Sequence, residues 1–279
     1  MIDLHTHSTA SDGSFSPSAL IAEAVKRGLS AIALTDHDTT GGLNEAAKAA
    51  KESGMRFIPG VEIEIVWNSN GEFHLLGLGL GEIKDGFTKV MEELRQRRED
   101  RNLEIVDKMN KAGIEVSYSE IRQSAGHSIG RPHIAAYMAE KKIVKNRDQA
   151  FSRYLGKGRP FYIPKVGVEF DLALKTIHES GGIAVLAHPM SLYIAWGKLP
   201  ELIKSLKEKG LDGIEAWHPS TKVSHCKRLE ELGRKLGLYI TAGSDFHGEA
   251  RKDRKLGITA GGRKISETYL EDIPALGAI

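Results

Sequence analysis

Residues 31–38, Ala31-Ile32-Ala33-Leu34-Thr35-Asp36-His37-Asp38, join a short apolar run directly to polar, titratable side chains. Such a run, bounded by polar residues, is typical of a strand buried on both faces of a sheet. The segment before it begins with Ser16-Pro17 and ends at Gly28, which are the start and stop signals of a helix. This region therefore predicts a helix followed by a strand whose end carries side chains able to bind cations.

The same alternation recurs along the chain and indicates the fold class, α/β. Apolar strand-like runs alternate with amphipathic helical stretches, which is typical of βα units and a parallel sheet. Seven strands favour a closed or nearly closed barrel, with an open doubly wound sheet as the alternative, because strand order is not visible in a sequence. The strands are predicted at 2–5, 31–35, 57–63, 72–80, 183–187, 213–217 and 239–242, and helices at 43–53, 169–180, 199–209 and 224–236.

Residues 84–164 interrupt the alternation of strands and helices. A long helix is predicted at 86–112, densely charged at 95–101, and two or three further helices follow to about residue 155. Since the loops of a barrel carry its function, we interpret 84–164 as a helical insertion that forms a substrate-binding cap. Residues 1–83 and 165–279 would then form the catalytic barrel domain.

Composition excludes several classes of protein. Lys and Arg number 39 against 37 Asp and Glu, giving a net charge of +2 and no global field for gripping long duplex nucleic acid. The one cysteine, Cys226, excludes an intramolecular disulfide and a cysteine-rich zinc site. A signal peptide and a membrane-spanning run are not recognisable, so we expect a cytoplasmic protein without a membrane partner.

Nine His, Asp and Glu side chains lie at or near the ends of six of the predicted strands. Carboxyl ends of barrel strands converge on one face, and mixed imidazole and carboxylate ligands suit Zn, Mn or Fe. Two such cations together can activate water and stabilise a phosphoryl displacement. His74 is the exception, because it lies near the start of its strand; either that boundary is misplaced or His74 reaches in from the side. The candidate ligands are His5, His7, Asp12, His37, Glu62, His74, His188, Asp245 and His247.

These segments resemble the motifs of the PHP (polymerase and histidinol phosphatase) superfamily, in order and over the chain up to His247. The resemblance implies a distorted (β/α)7 barrel and a trinuclear site of divalent ions: Mn, Zn, Fe or Mg. Asp12 stands where several relatives have His, which leaves the metal's identity open. The matching segments are Asp3-Leu4-His5-Thr6-His7-Ser8, Leu34-Thr35-Asp36-His37-Asp38, Gly60-Val61-Glu62-Ile63, His188-Pro189 and Gly243-Ser244-Asp245-Phe246-His247.

The resemblance also implies how the ligands divide among the metals. Glu62 would bridge the first and second ions and would be the central catalytic residue. The implied sets are His5, His7, Glu62 and Asp245 for the first metal, Glu62, His74 and His188 for the second, and Asp12, His37 and His247 for the third.

Residues 130–133, Gly130-Arg131-Pro132-His133, are the main candidates for reading the substrate. Pro132 suits the first turn of a helix, so Arg131 and His133 would lie at a helix N-terminus, which favours anions. Lys165 is the likeliest of the neighbouring basic residues to face the site, whereas Lys157 and Arg159 are expected to be solvated. His218 follows a strand on the same face, as a substrate contact or a proton carrier. His178 and His225 are expected to be structural or exposed, and His127 stays undecided.

A Gly-Arg-Pro-His segment within such an insertion resembles the nucleotide-acting branch of the superfamily. Its members remove the 3′-phosphate of nucleoside 3′,5′-bisphosphates, and some trim the 5′ ends of short RNA. Arg131, His133 and His218 would then hold the 5′-phosphate. The alternatives are a phosphatase for histidinol phosphate or another small phosphomonoester, and a non-catalytic metal-stabilised module. The sequence indicates no oligomeric state and no role for residues 261–279.

Overall fold

The computed structural model describes residues 1–69, 71–125 and 129–277, and its main sheet has seven strands in chain order. The strands are β1 (Ile2–Asp3), β2 (Ala31–Leu34), β3 (Arg56–Glu64), β4 (His74–Leu78), β5 (Ile183–Leu186), β6 (Gly213–Trp217) and β7 (Tyr239–Ala242). Beyond β7 the chain pairs with the chain beyond β1: Asp245 N donates to the His5 carbonyl and His7 N to the Phe246 carbonyl, both over 2.9 Å. These bonds join the two edges, which confirms the distorted (β/α)7 barrel and excludes the open sheet.

Helices surround the barrel close to where the sequence predicts them. In the first, Ser16 Oγ accepts from Ala19 N over 3.2 Å, and Pro17 takes the first position. This cap satisfies a free N–H and directs Leu20 and Ile21 toward the strands. The helices are α1 (Pro17–Lys26), α2 (Leu43–Ser53), α3 (Asp85–Lys111), α4 (Tyr118–Ala125), α5 (Arg131–Glu140), α6 (Arg147–Ala150), α7 (Phe170–Glu179), α8 (Leu199–Glu208), α9 (Val223–Lys235), α10 (Thr268–Glu271) and α11 (Pro274–Gly277).

The fully parallel sheet predicted from the alternation is wrong at one strand. β4 runs antiparallel to both β3 and β5. Only residues 65–73 join β3 to β4, and a parallel crossover needs a dozen residues or more, so the chain turns back as a hairpin. The reversal brings the first residue of β4, His74, to the edge where the neighbouring strands end. His74 therefore needs neither a shifted boundary nor a sideways reach.

The predicted insertion contains an apolar cluster of its own, and α3 joins it to the barrel. Near its start, Phe87 and Leu94 pack into the barrel cluster. Near its end, Ile105 and Met109 pack into a separate cluster that extends to Phe161. The boundaries at residues 84 and 164 stay a prediction. No helix in the described ranges is long and apolar enough to cross a lipid bilayer.

The last residues close the barrel's amino-terminal end. A short antiparallel pair, β8 (Ile258–Thr259) and β9 (Arg263–Lys264), precedes α10 and α11. Ile265 accepts a backbone hydrogen bond from Ile2 N over 3.2 Å, and the amino terminus pairs with Glu267 over 2.7 Å. The stretch without a predicted role therefore packs against β1 and helps to hold it.

Candidate metal and phosphate site

The nine predicted ligands lie together on one face of the barrel. Three strained positions lie among them or beside them: Asp38, His188 and Asp245 have φ of 52°, 27° and 50°. Non-glycine residues rarely adopt such angles, and strain of this kind collects at functional sites. Three groups of ligand atoms each lie within 4.8 Å of one another: His5, His7, Glu62 and Asp245; His37, Glu62 and His74; and His7, Asp12, His37 and His247.

The first group has the spacing of ligands around a single cation. His5 Nε2 and His7 Nε2 lie 3.1 Å apart and face Glu62 Oε2 at 3.2 and 3.3 Å. Asp245 Oδ1 lies 3.5 Å from His5 Nε2 and 3.1 Å from His7 Nε2. Four atoms sharing a tetrahedral zinc at 2.0–2.2 Å would be roughly 3.3–3.6 Å from one another. The donor set therefore fits a metal ion.

Glu62 directs its two oxygens to two different groups. While Oε2 faces His5 and His7, Oε1 lies 2.7 Å from His74 Nδ1 and 2.9 Å from His188 Nε2. Those two imidazole nitrogens are themselves 3.3 Å apart. A carboxylate placed between two imidazole pairs has the arrangement needed to bridge two cations.

The third group lies on the other side of His7. His247 Nε2 is 3.2 Å from Asp12 Oδ1, and His7 Nδ1 is 4.0 Å from the same oxygen. His7 Nδ1 is buried and has no hydrogen-bond partner in the described part of the chain. A buried polar atom without a partner is costly, so this nitrogen, facing a carboxylate, also fits a bound cation.

Hydrogen bonds behind the site fix the proton positions of two histidines. His5 Nδ1 lies 3.0 Å from Glu215 Oε1, which can only accept when ionised, so Nδ1–H donates. His188 Nδ1 lies 2.7 Å from Ser191 Oγ, whose hydroxyl donates to the Glu72 carbonyl over 2.9 Å. Ser191 Oγ therefore accepts from His188. Both rings therefore turn Nε2 toward the carboxylate oxygens.

Two further histidines follow the same pattern. His74 Nε2 donates to Glu64 Oε2 over 2.9 Å, and His247 Nδ1 donates to the Asp245 carbonyl over 2.8 Å. The other nitrogen of each ring, His74 Nδ1 and His247 Nε2, faces a carboxylate oxygen. A nitrogen lone pair and a carboxylate oxygen repel each other unless a proton or a cation lies between them. Partners of this kind orient metal-bound histidines and raise their basicity.

In this site the imidazoles and the carboxylates shift each other's pKa strongly. Burial alone would raise the pKa of Glu62, but the facing imidazoles of His37, His74 and His5 hold that pKa well below its usual range. Burial alone would lower the pKa of His7, but Asp245 and Glu62 raise it to about 9. Without a metal, protons therefore take the place of the missing positive charge.

A cavity of about 360 Å³ opens over these groups, between the barrel and the helices of the insertion. Three of the predicted substrate residues, Arg131, Lys165 and His218, line it, and their contact with substrate stays a prediction. Lys165 Nζ donates to Glu64 Oε2 over 2.6 Å, so its charge is already paired. The buried ring of His218 lies 5.2 Å from that of His188, on the side of the metal ligands. The predicted substrate residues thus divide between the two walls of one cavity.

His133 is placed differently. Its Nδ1 accepts from Gly130 N over 3.0 Å and caps α5, and the side chain is not among the described residues that line the cavity. Its contact with substrate stays a prediction that this geometry does not favour. His178 bonds to Asp212 over 2.7 Å, and His225 stacks on Trp196, both outside the site. His127 lies outside the described residues.

The sequence interpretation missed the arginines of this cavity. Arg98 and Arg101 on α3 line it, and Arg98 pairs with Asp38 at the end of β2. Both continue the face of α3 that Leu94 and Ile105 bury, and a charge on a buried face was the signal that could have revealed them. Arg254 also lines the cavity, and its Nη1 lies 2.8 Å from His218 Nε2 and 2.5 Å from Asp245 Oδ2. It comes from an irregular loop without a recognisable pattern.

Known proteins resemble this chain in sequence. The PHP domain family matches residues 3–191. A 5′-3′ exoribonuclease of Haemophilus influenzae is 38% identical over 88% of this chain and 89% of that protein. A 3′,5′-nucleoside bisphosphate phosphatase of Chromobacterium violaceum is 31% identical, over 99% of this chain and 93% of its own.

A solved structure has the same fold as this chain. A candidate metal-dependent phosphoesterase of Bifidobacterium adolescentis superposes with a TM-score of 0.87 at 25% identity, covering 99% of this chain and 96% of that one. The predicted resemblance and the enzymatic interpretation are confirmed. The chain belongs to the PHP domain family, and it is a metal-dependent hydrolase of phosphoric esters.

Proposed function

We propose that this enzyme removes the 3′-phosphate of nucleoside 3′,5′-bisphosphates and also shortens short RNA from its 5′ end. The observation that carries the proposal is a cavity lined both by the metal-ligand groups of the barrel and by three arginines of the insertion. One wall holds the metal-ligand groups around Glu62, and the other holds Arg98, Arg101 and Arg131. Relatives that act on a bisphosphate and on RNA support the same substrate class.

Arg101 is the strongest support for a second phosphate. It is 8% exposed, and its Nε has no hydrogen-bond partner in the described part of the chain. Burial, together with the like charges of Arg98 and Arg131, lowers the pKa of Arg101 to about 10. Asp38 pairs with Arg98, and no carboxylate in the described ranges lies within salt-bridge distance of Arg101. A bound phosphate would supply the missing negative charge and accept its N–H groups.

Metal ions would occupy the groups around Glu62, and we assign three divalent cations to them. When bound, they would neutralise the scissile phosphate, activate water and stabilise the leaving oxygen. Glu62 would bridge the first two. The proposed ligands are His5, His7, Glu62 and Asp245; Glu62, His74 and His188; and Asp12, His37 and His247.

The protein's own residues would hold the reacting groups in line. A water oxygen forms a bond to phosphorus, the bond from phosphorus to the ribose 3′ oxygen breaks, and that oxygen takes up a proton. His218 lies beside Asp245, with Nε2 at 3.2 Å from Asp245 Oδ2, so we place it near the leaving oxygen as proton carrier. Arg131 would hold the second phosphate from the cap.

A substrate panel with a paired variant tests this function. Metal-loaded enzyme should release phosphate much faster from adenosine 3′,5′-bisphosphate than from AMP or histidinol phosphate, and should cleave a 5′-phosphorylated dinucleotide. Arg131→Ala should raise KM for the bisphosphate roughly tenfold or more but change little for a 3′-monophosphate. Arg122→Ala, at an exposed position of the cap, is the control. A preference for histidinol phosphate, or equal losses on both nucleotides, would refute the proposal.

A further inference from the structure

A second cavity opens beside the metal-ligand face, and the proposed function does not use it. Its volume is about 840 Å³, more than twice that of the site cavity at about 360 Å³. The two cavities share five lining residues, so they adjoin each other. The shared residues are Asp12, Pro132, Phe151, His247 and Arg251.

The outer part of this second cavity, the side groove, is basic. Arg147, Lys157 and Arg159 line it, and all three are exposed. Within the described ranges, no carboxylate lies within salt-bridge distance of Arg147 or Arg159. Asp253 is also in the groove but pairs with Arg251 over 3.1 Å, which leaves Asp148 as the one opposing charge among the outer residues described. The groove therefore has an excess of positive charge.

The lining residues show which features the two cavities share. Asp12 and His247, from the proposed third metal group, line both cavities, whereas the cap arginines Arg98, Arg101 and Arg131 line only the first. A nucleoside bisphosphate ends at its 3′-phosphate and has no atoms to place beyond the metals. An oligonucleotide continues from that phosphate into its second nucleotide.

We propose that the side groove binds the second nucleotide, and the strand after it, of a short single-stranded oligonucleotide with a 5′-phosphate. This inference rests on the proposed function. Phe151 would stack on a base, while Arg147 and Arg159 contact the backbone phosphates. Water adds to the first internucleotide phosphorus and the bond to the first nucleotide's 3′ oxygen breaks. The first nucleotide leaves with a proton on that oxygen, and the phosphate stays on the shortened strand.

The test compares two substrates on the full-length, metal-loaded enzyme. They are adenosine 3′,5′-bisphosphate, which cannot reach the groove, and a 5′-phosphorylated triribonucleotide, which can. The double variant Arg147→Ala/Arg159→Ala should lower kcat/KM for the first cleavage of the trinucleotide about tenfold and leave the bisphosphate unchanged. Arg153→Ala is the matched control, since Arg153 is exposed on the same segment but lines neither cavity. Phe151→Leu should also lower kcat/KM for the first cleavage of the trinucleotide.

The outcomes separate this inference from the function on which it rests. Suppose that the wild type hydrolyses the bisphosphate and that the double variant keeps the wild-type ratio of kcat/KM for the trinucleotide to kcat/KM for the bisphosphate. That result would overturn the groove alone. A wild type that hydrolyses the bisphosphate but never cleaves the trinucleotide would overturn the groove together with the RNA-shortening part of the proposed function, and would leave the phosphatase part standing. A wild type that releases no phosphate from the bisphosphate would instead refute the proposed function. A steeper salt dependence for the trinucleotide, removed by the double variant, would support the groove.

Discussion

The two walls of the active-site cavity are built in different ways. On the barrel wall, short side chains leave strand ends that backbone pairing holds in register, and hydrogen bonds behind them fix each imidazole. On the cap wall, the long side chains of Arg98, Arg101 and Arg131 reach in from two helices. From this difference we propose that the barrel wall carries the chemistry, whereas the cap wall, which adjoins a separate apolar cluster, selects the substrate.

Changing Glu62, the proposed bridging ligand on the barrel wall, should have the largest effect. Glu62→Gln keeps the shape of the side chain but removes the charge that both of its oxygens share with the histidines. We expect kcat to fall by roughly 10³-fold or more, about 4 kcal/mol, together with loss of bound metal. Steady-state kinetics and metal analysis measure both. Glu201→Gln, at an exposed position on α8, is the control, and full activity of Glu62→Gln would contradict the role of Glu62.

Changing the support behind that wall should have a smaller effect. Glu215 accepts from His5 Nδ1 over 3.0 Å and from the backbone N–H of His188 over 2.8 Å. It therefore supports one ligand of each of the first two proposed metals. Glu215→Gln should weaken metal binding by about 10–100-fold while saturating metal restores most activity. Metal titration measures the affinity. A variant with wild-type affinity would show that Glu215 only fills space.

On the cap wall, substrate affinity and stability should move in opposite directions. Arg101→Met keeps the apolar stem but removes a buried charge that lacks a carboxylate partner. The folded-state pKa of Arg101 lies below its ordinary value, so at neutral pH its charge destabilises the fold. We expect about tenfold weaker binding of the bisphosphate and a free energy of unfolding higher by about 1–3 kcal/mol.

Urea denaturation and KM measure these two effects. Loss of stability together with unchanged KM would mean that Arg101 is a structural residue of α3.

The smallest effect is a pH dependence confined to the metal-free protein. The pKa of His7 is raised from 6.5 to about 9, so its protonated form stabilises the fold fully below pH 6.5. That contribution is lost as the pH rises through 9. Metal-free protein should therefore lose about 1 kcal/mol or more of stability between these values, whereas metal-loaded protein should not. Urea denaturation at several pH values gives the free energy of unfolding of both forms. If that free energy changed with pH equally in the metal-free and the metal-loaded protein, the prediction would be contradicted.

The sequence could predict the barrel wall because a strand leaves little freedom. Alternation puts His5 and His7 on one face, and the carboxyl ends of strands meet at one edge, so types and spacing suffice. For His74 both explanations offered by the sequence, a misplaced boundary or a sideways reach, are wrong, since the antiparallel direction of β4 depends on the length of the connection from β3. Glu215 and Glu64 lie among apolar strand residues, where a charge was a signal that could have been used.

The cap wall was far less predictable. Arg131 follows from local helix-start signals, but Arg98 and Arg101 depend on how α3 leans between two apolar clusters, which is a tertiary property. For His133 the local signal gave the helix start but not the role: Nδ1 accepts from Gly130 N, which leaves Nε2 to carry the proton, and its contact with substrate stays a prediction. Arg254 comes from a loop whose path only the closed barrel determines.

The product formed from adenosine 3′,5′-bisphosphate tests the central claim most directly. If the cap arginines hold the 5′-phosphate while the metal groups act on the other, metal-loaded enzyme should yield inorganic phosphate and adenosine 5′-monophosphate. Phosphorus NMR or chromatography against both standards distinguishes the two monophosphates. Adenosine 3′-monophosphate as the product, or no phosphate release with the metals bound, would contradict this account.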